Sequence, residues 1–158
     1  MTERSWSISS NRGWESFECE LLNDHGDDLL CRLTLNGEYL DRSQPESNGD
    51  LVVPDFKVSL PQTLLSRQSL RGLYMDLFRW REMGELFSRD LQAAGSGGQM
   101  LRLSIEDNPR FIQSAGKRVF TIQYVSGLAM AITSSFLVDQ SCVGLALDEL
   151  ARSLEVEH

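Results

Sequence analysis

Histidine is almost missing from this chain: of its 158 residues only His25 and His158 carry an imidazole. A serine or cysteine nucleophile needs a base within hydrogen-bond reach, so these two residues bound the room for such chemistry. Cysteine is also sparse. Cys19, Cys31 and Cys142 are odd in number and lack C-x-x-C spacing, and with two histidines they make no structural zinc set. Reduced thiols in a cytoplasmic protein are the expectation. No apolar run approaches the roughly 20 residues that cross a bilayer. The opening MTERSWSISSNRGW has no apolar h-region, so no signal peptide is expected. Basic residues are short in supply as well, 15 against 23 acidic ones, for a formal net charge of -8. A surface of that sign repels phosphate. It argues against nucleic acid and anionic membranes as partners and suits a basic protein. The same charge serves plain solubility.

What is present is enough for one domain, residues 1–158. The apolar fraction is 41% and the charged fraction 24%, both near globular averages. A chain of this length buries roughly 70% of its unfolded surface, so no disulfide, zinc or haem is required for stability and no cofactor is expected.

Period-two alternation marks the first third as strands. In SFECELL, Phe17, Cys19 and Leu21 alternate with Glu18 and Glu20, and in LLCRLTLN, Leu29, Cys31, Leu33 and Leu35 form one face. NDHGDD between them is a turn cluster of the kind that joins hairpin strands. SWSIS at 5–9 is a further short edge strand. Residues 41–50 read as a polar loop, followed by the strand LVVPDFKVSL, in which Pro54 cannot donate to a ladder and marks an edge or a bulge. The period then lengthens. Leu70, Leu73, Tyr74, Leu77, Phe78 and Trp80 recur at helical spacing, with Ser66 as N-cap and Gly84 as stop. Phe78 and Trp80 cannot both face the sheet, so one of them, or Trp14, is expected to be partly exposed. ELFSRDLQAA adds a short frayed turn before the connector GSGG at 95–98.

MLRLSIED, KRVFTIQYV and AMAITSSFLVD then read as strands, with a hairpin turn at Gly127 and an EDNPR turn at 106–110. Val143, Leu147, Leu150 and Leu154 stripe a final helix. Each half thus runs strands into a helix, a faint internal echo. Short turns between consecutive strands imply antiparallel pairing. The fold class expected is α+β: one antiparallel sheet of about seven strands with two helices on one face.

Two polar constellations invite chemical readings. In FLVDQSCVGLALDEL, Asp139, Ser141 and Cys142 sit where a strand turns into a helix, which resembles a nucleophile elbow. The G-x-S-x-G signature is missing and the histidines are remote in sequence, whereas Asp and Ser are the residue types that cap helices. The reading is a cap and no catalytic residue. Asp24, His25, Asp27 and Asp28 offer oxygen and imidazole to a metal but lack calcium-loop spacing, and Asn, Asp and Gly are the ordinary composition of a turn. GSGG follows a helix and has no lysine behind it, so it is no phosphate cradle.

The segments FKVSLPQTLLSRQSLRGLYMDLFRW and SSFLVDQSCVGLALDELARSL resemble the WapI-type immunity proteins, small bacterial cytoplasmic proteins that neutralise the toxic tail of contact-dependent, wall-associated toxins. That family likewise sets a leucine-spaced helix, then strands, then an aspartate–glutamine turn into a last helix. The resemblance runs from about Leu51 to Leu154, carries generic apolar spacings and brings no catalytic residues. It implies a non-catalytic binding protein acting on a protein partner, here a basic toxin domain. The acids Asp24, Asp27 and Asp28 and the pair Glu106 and Asp107 are the expected contacts, and self-association is left open. The alternative is a small-ligand carrier with an apolar cavity between sheet and helices, lined by Ser134 and Gln123.

Overall fold

β1 (Ser5–Ser9), β2 (Ser16–Asp24) and β3 (Asp28–Glu38) run antiparallel, and the alternation read from the sequence sorts their faces. Trp6, Ile8, Phe17, Cys19, Cys31, Leu33 and Leu35 are buried, while Ser7, Glu18 and Thr34 align across the three strands on the other face. The computed structural model describes residues 4–10, 15–38, 55–95, 97–107, 118–127 and 130–155. The loop expected at 41–50, Trp14, Pro54, the Asn108–Pro109 turn and His158 lie outside them.

β3 pairs with two strands in succession. β4 (Asp55–Ser59) takes its C-terminal half and β5 (Thr63–Ser66) its N-terminal half. Between them, Leu60 N donates to Leu33 O at 2.9 Å and Pro61, which has no N–H, sits at the break. Ser66 ends β5 and caps α1 (Arg67–Met83), its hydroxyl accepting from Ser69 N at 3.2 Å. Leu70, Leu73, Leu77 and Trp80 form the buried stripe, each leucine contributing about 1.5–3 kcal/mol by burial. Gly84 closes the helix in the left-handed conformation at φ 69°, open to glycine without a Cβ clash. The competition between Phe78 and Trp80 resolves in favour of the indole: Trp80 is 2% exposed and Phe78 37%.

The frayed turn expected after α1 is instead a strand, β6 (Phe87–Asp90), which opens a second sheet ordered β6–β7–β8–β9, with β7 Gln99–Glu106, β8 Arg118–Ser126 and β9 Met130–Val138. FSRD has no apolar alternation, and it is extended because β7 offers an edge, Phe87 opposite Ile105. Among the described residues the single sheet of about seven strands thus becomes nine strands in two antiparallel sheets, five and four, and the class remains α+β. All seven expected strands are present, and β5 and β6 are the additions.

The two sheets are stitched where β5 meets the chain after β6. Leu65 and Gln92 form a bridge, Ser66 N donates to Leu91 O and Ala93 N to Leu64 O, both at 2.9 Å. Their inner faces meet through rings, Phe17 edge-on to Phe120 at 6.4 Å, with Trp6 and Phe136 extending the row. One continuous core includes residues of both sheets and both helices. Each sheet passes its last strand into a helix, β5 into α1 and β9, through one 3-10 turn, into α2 (Gly144–Leu154). Helix α1 packs on β5 and β6, and α2 packs on α1 and β1. Across the α1–β6 contact, Arg89 Nε reaches Asp76 Oδ2 at 2.5 Å, the Asp76 side chain being 10% exposed. Gly72 leaves space for that guanidinium, which a Cβ there would overlap.

Candidate functional site

The DQSC turn is a helix cap. Asp139 is extended at φ −119°, and its Oδ1 accepts from Ser141 N at 2.9 Å and from the Ser141 hydroxyl. The Cys142 thiol completes the box, Sγ lying 3.4 Å from Asp139 N and 3.5 Å from its carboxylate. These contacts spend the acid on a free N–H at the start of the 3-10 turn Gln140–Val143, and the hydroxyl on the acid. Gln140 reaches the other way and donates to Trp80 O and Arg81 O, both at 3.1 Å, tying the turn to the end of α1. His25 is exposed in the β2–β3 turn, where its N–H donates to Asp28 O at 2.9 Å. The buried thiol of Cys19 is pushed well above its usual pKa by a hydrogen bond with Cys31 and by burial, which keeps it protonated.

The acids of NDHGDD divide by role. Asp24 is a structural anchor. Its Oδ2 accepts from Arg67 Nη2 at 2.5 Å and from Arg4 Nη1 at 3.2 Å, and its Oδ1 from Gly26 N at 2.8 Å. The Arg67 hydrogen bond leads in lowering the carboxyl to about 2, against a smaller opposing effect of burial, with Gly26 and Arg4 adding to the shift. Arg67, 5% exposed, also donates to Gly26 O at 2.5 Å and to Leu154 O at 2.7 Å, and Arg4 donates to Ser153 O and Glu155 O. Two guanidinium groups thus satisfy the free carbonyls at the end of α2, where cations are also favoured by the helix dipole. Asp27 and Asp28 have no ion pair among the described residues; their backbone carbonyls accept from Arg67 N and His25 N. Among the described residues no three His, Cys, Asp or Glu side chains converge as a metal would need.

Next to this anchor the outer face of the five-stranded sheet forms a groove of about 610 Å³. Register builds it: Ser5 stands opposite Glu20 and Glu20 opposite Arg32, while Ser7, Glu18, Thr34 and Ser59 form the next row. Lys57 closes one end, and Glu149 of α2 adds a carboxylate at the β1 side. Arg32 Nη1 lies 3.5 Å from Glu20 Oε2, and Asn36 Nδ2 donates to Glu18 Oε2 at 2.9 Å. Glu149 Oε1 is buried with no hydrogen-bond partner among the described residues. A carboxylate oxygen so placed lacks a donor and costs free energy until one arrives. Three carboxylates on a polar floor are suited to receiving a lysine or arginine side chain. Glu18, Glu20 and Glu149 were not singled out from the sequence. Alternation put Glu18 and Glu20 on the wet face, but only the strand register shows which residues stand beside them.

Glu106 and Asp107 lie elsewhere. Glu106 is opposite Val119 beside Phe120, and Phe120 meets Phe17 near the start of β2, whereas Asp24 ends that strand. The two acidic groups thus stand on different sheets. Asp107 pairs with Arg118 at 2.5 Å. Eight arginines (4, 32, 67, 79, 81, 89, 102 and 118) each have a carboxylate within 4.0 Å. Asp27, Asp28, Glu85, Glu106, Asp148 and Glu149 have no such partner among the described residues, so the charge left for a neighbour is acidic. Of the two polar positions assigned to an apolar cavity, Ser134 does face inward, opposite Ile122. Gln123 points outward in the row of Arg102 and Thr133, because strand alternation gives its inner neighbours Ile122 and Tyr124 the core. No helix among the described residues is long and apolar enough to cross a membrane.

No family model matches the chain, and no curated protein or solved structure matches it.

Proposed function

We propose that this chain is a non-catalytic protein-binding module, a cytoplasmic immunity protein of the WapI type that neutralises a toxin by occupying a basic surface on it. The observation that carries the reading is Glu149 Oε1, buried without a donor among the described residues in a groove that also presents Glu18 and Glu20. A basic side chain from a partner supplies the missing donors and forms charge-assisted hydrogen bonds. The neighbouring acids Asp27 and Asp28 extend the same negative field and steer the approach. Arg67 and Arg4, held by Asp24 and the carbonyls at the end of α2, do not pair with Asp27 or Asp28.

Electrostatic steering makes association fast and salt-sensitive, while the donors delivered to Glu149 slow dissociation. Blocking requires no reaction by this chain, in keeping with the use of Asp139 as a cap. The test is co-purification with the product of the adjacent gene, followed by relief of its toxicity. Expected is a stable complex that Glu20→Lys/Glu149→Lys weakens. Failure of the neighbouring product to bind, or binding without relief of toxicity, overturns the proposal.

A further inference from the structure

Among the described residues β1, β4, β6 and β9 each pair along one edge only. Free edges expose a row of backbone donors and acceptors, and proteins blunt them with shortness, charge, proline, bulges or a covering helix. Three of these edges are blunted. β1 has five residues and α2 lies against it, β4 has five and carries Asp55 and Lys57, and β6 has four including Arg89 and Asp90. β9 has none of these protections. Its nine residues, MAITSSFLV, contain no charge, proline or glycine, and they pair with β8 from Met130 to Val138 without a bulge. Met130, Ala131, Thr133 and Ser135 are exposed along it.

We infer that β9 is a self-association edge, on which a second copy of this chain adds its own β9 antiparallel about a two-fold axis. Two arguments favour a second copy over a foreign strand. The first is charge: each copy carries -8, so two copies repel over most of their surface, and β9 is a long strip where they meet without opposed acids. The second is self-complementarity. A two-fold axis through Ser134 sets Ile132 opposite Phe136 on the inner side, Ala131 opposite Leu137 and Thr133 opposite Ser135 on the outer side, and Met130 opposite Val138. Inward residues meet inward residues and outward meet outward, as antiparallel register demands. Such a ladder supplies about eight backbone hydrogen bonds, within the usual range of about 10 ± 5 for a stable interface. The contact is isologous and closes, so it makes a dimer and not a fibre.

The test is sedimentation equilibrium of the full chain across a concentration series, with no partner present, so its outcome is independent of the toxin-binding proposal. Expected is a species of twice the 17.8 kDa chain mass. Thr133→Lys/Ser135→Lys opposes lysine to lysine across the axis and should weaken dimerisation at least tenfold. Thr133→Lys/Ser135→Glu opposes lysine to glutamate and should restore it, now in a salt-dependent way. Circular dichroism and the unfolding midpoint check that both variants fold. Without any variant, amides of Ala131 to Leu137 in the parent chain should gain hydrogen-exchange protection as concentration rises. A parent chain that stays monomeric at every concentration, a double-lysine variant that folds and keeps the dimer mass, or a lysine–glutamate variant that stays monomeric each overturns the inference.

Discussion

Arg67 offers the sharpest test of what holds the acidic end of the molecule together. Arg67→Met keeps most of the apolar stem and removes the guanidinium, which leaves Asp24 Oδ2, Gly26 O and Leu154 O without that donor. Asp24 keeps Arg4 and Gly26 N and has a side chain 27% exposed, so water replaces part of what it loses. The other two acceptors lose a charged donor that is 5% exposed. At about 1–1.5 kcal/mol for each partly buried bond, the loss comes to about 2–4 kcal/mol. For a domain of this size that lowers the thermal midpoint by roughly 5–15 °C. Local opening should concentrate at the end of α2, read as faster hydrogen exchange from Leu150 to Glu155. The pH dependence gives a second reading. Because the folded Asp24 carboxyl sits at about 2, below its ordinary 3.8, its contribution is fully present above pH 3.8 and is lost as pH falls toward 2. Arg67→Met should flatten that part of the acid unfolding curve. A variant within about 0.5 kcal/mol of the parent, with unchanged exchange at the end of α2, refutes the anchor.

Asp139→Ala should cost about 1 kcal/mol by denaturant unfolding, whereas Leu147→Ala or Leu150→Ala should cost about 2–5 kcal/mol, since each leaves a hole in the core; the reverse order would mean that Asp139 is more than a cap. Gly72→Ala should forfeit most of the roughly 1 kcal/mol gain in helix propensity, because the methyl displaces the far end of Arg89, 36% exposed, from Asp76. A Gly72→Ala chain that shows the whole gain in denaturant unfolding removes that account. Glu106→Gln should leave partner affinity unchanged, since the residue stands on β7 of the other sheet and does not line the groove; a tenfold loss in a titration would move the binding surface to that end of β7.

Elements with strong local patterns were legible in the sequence. Phe17, Cys19 and Leu21 alternate, Leu70, Leu73 and Leu77 repeat, and Ser66, Gly84 and Asp139 are residue types suited to the caps they form. β5 and β6 were not legible, because TLLS and FSRD carry no period of their own and are extended only where β3 and β7 offer edges. The join at Leu65 and Gln92 is equally tertiary. Among the site residues, Asp24 reads as a surface acid until Arg4 and Arg67 arrive from 20 and 43 residues away. Glu149 falls between helix faces in the sequence, and its position against the β1 side of a sheet follows from how α2 packs.

The central claim is that carboxylates in the groove receive a basic partner. Isothermal titration of the purified neighbouring gene product into the parent chain and into Glu20→Lys/Glu149→Lys, at low and at high salt, tests it directly. The account predicts a complex whose dissociation constant rises at least tenfold in the variant, a gap that narrows as salt screens the charges, and an unfolding midpoint that does not fall. Equal affinity of parent and variant at both salt concentrations would contradict it.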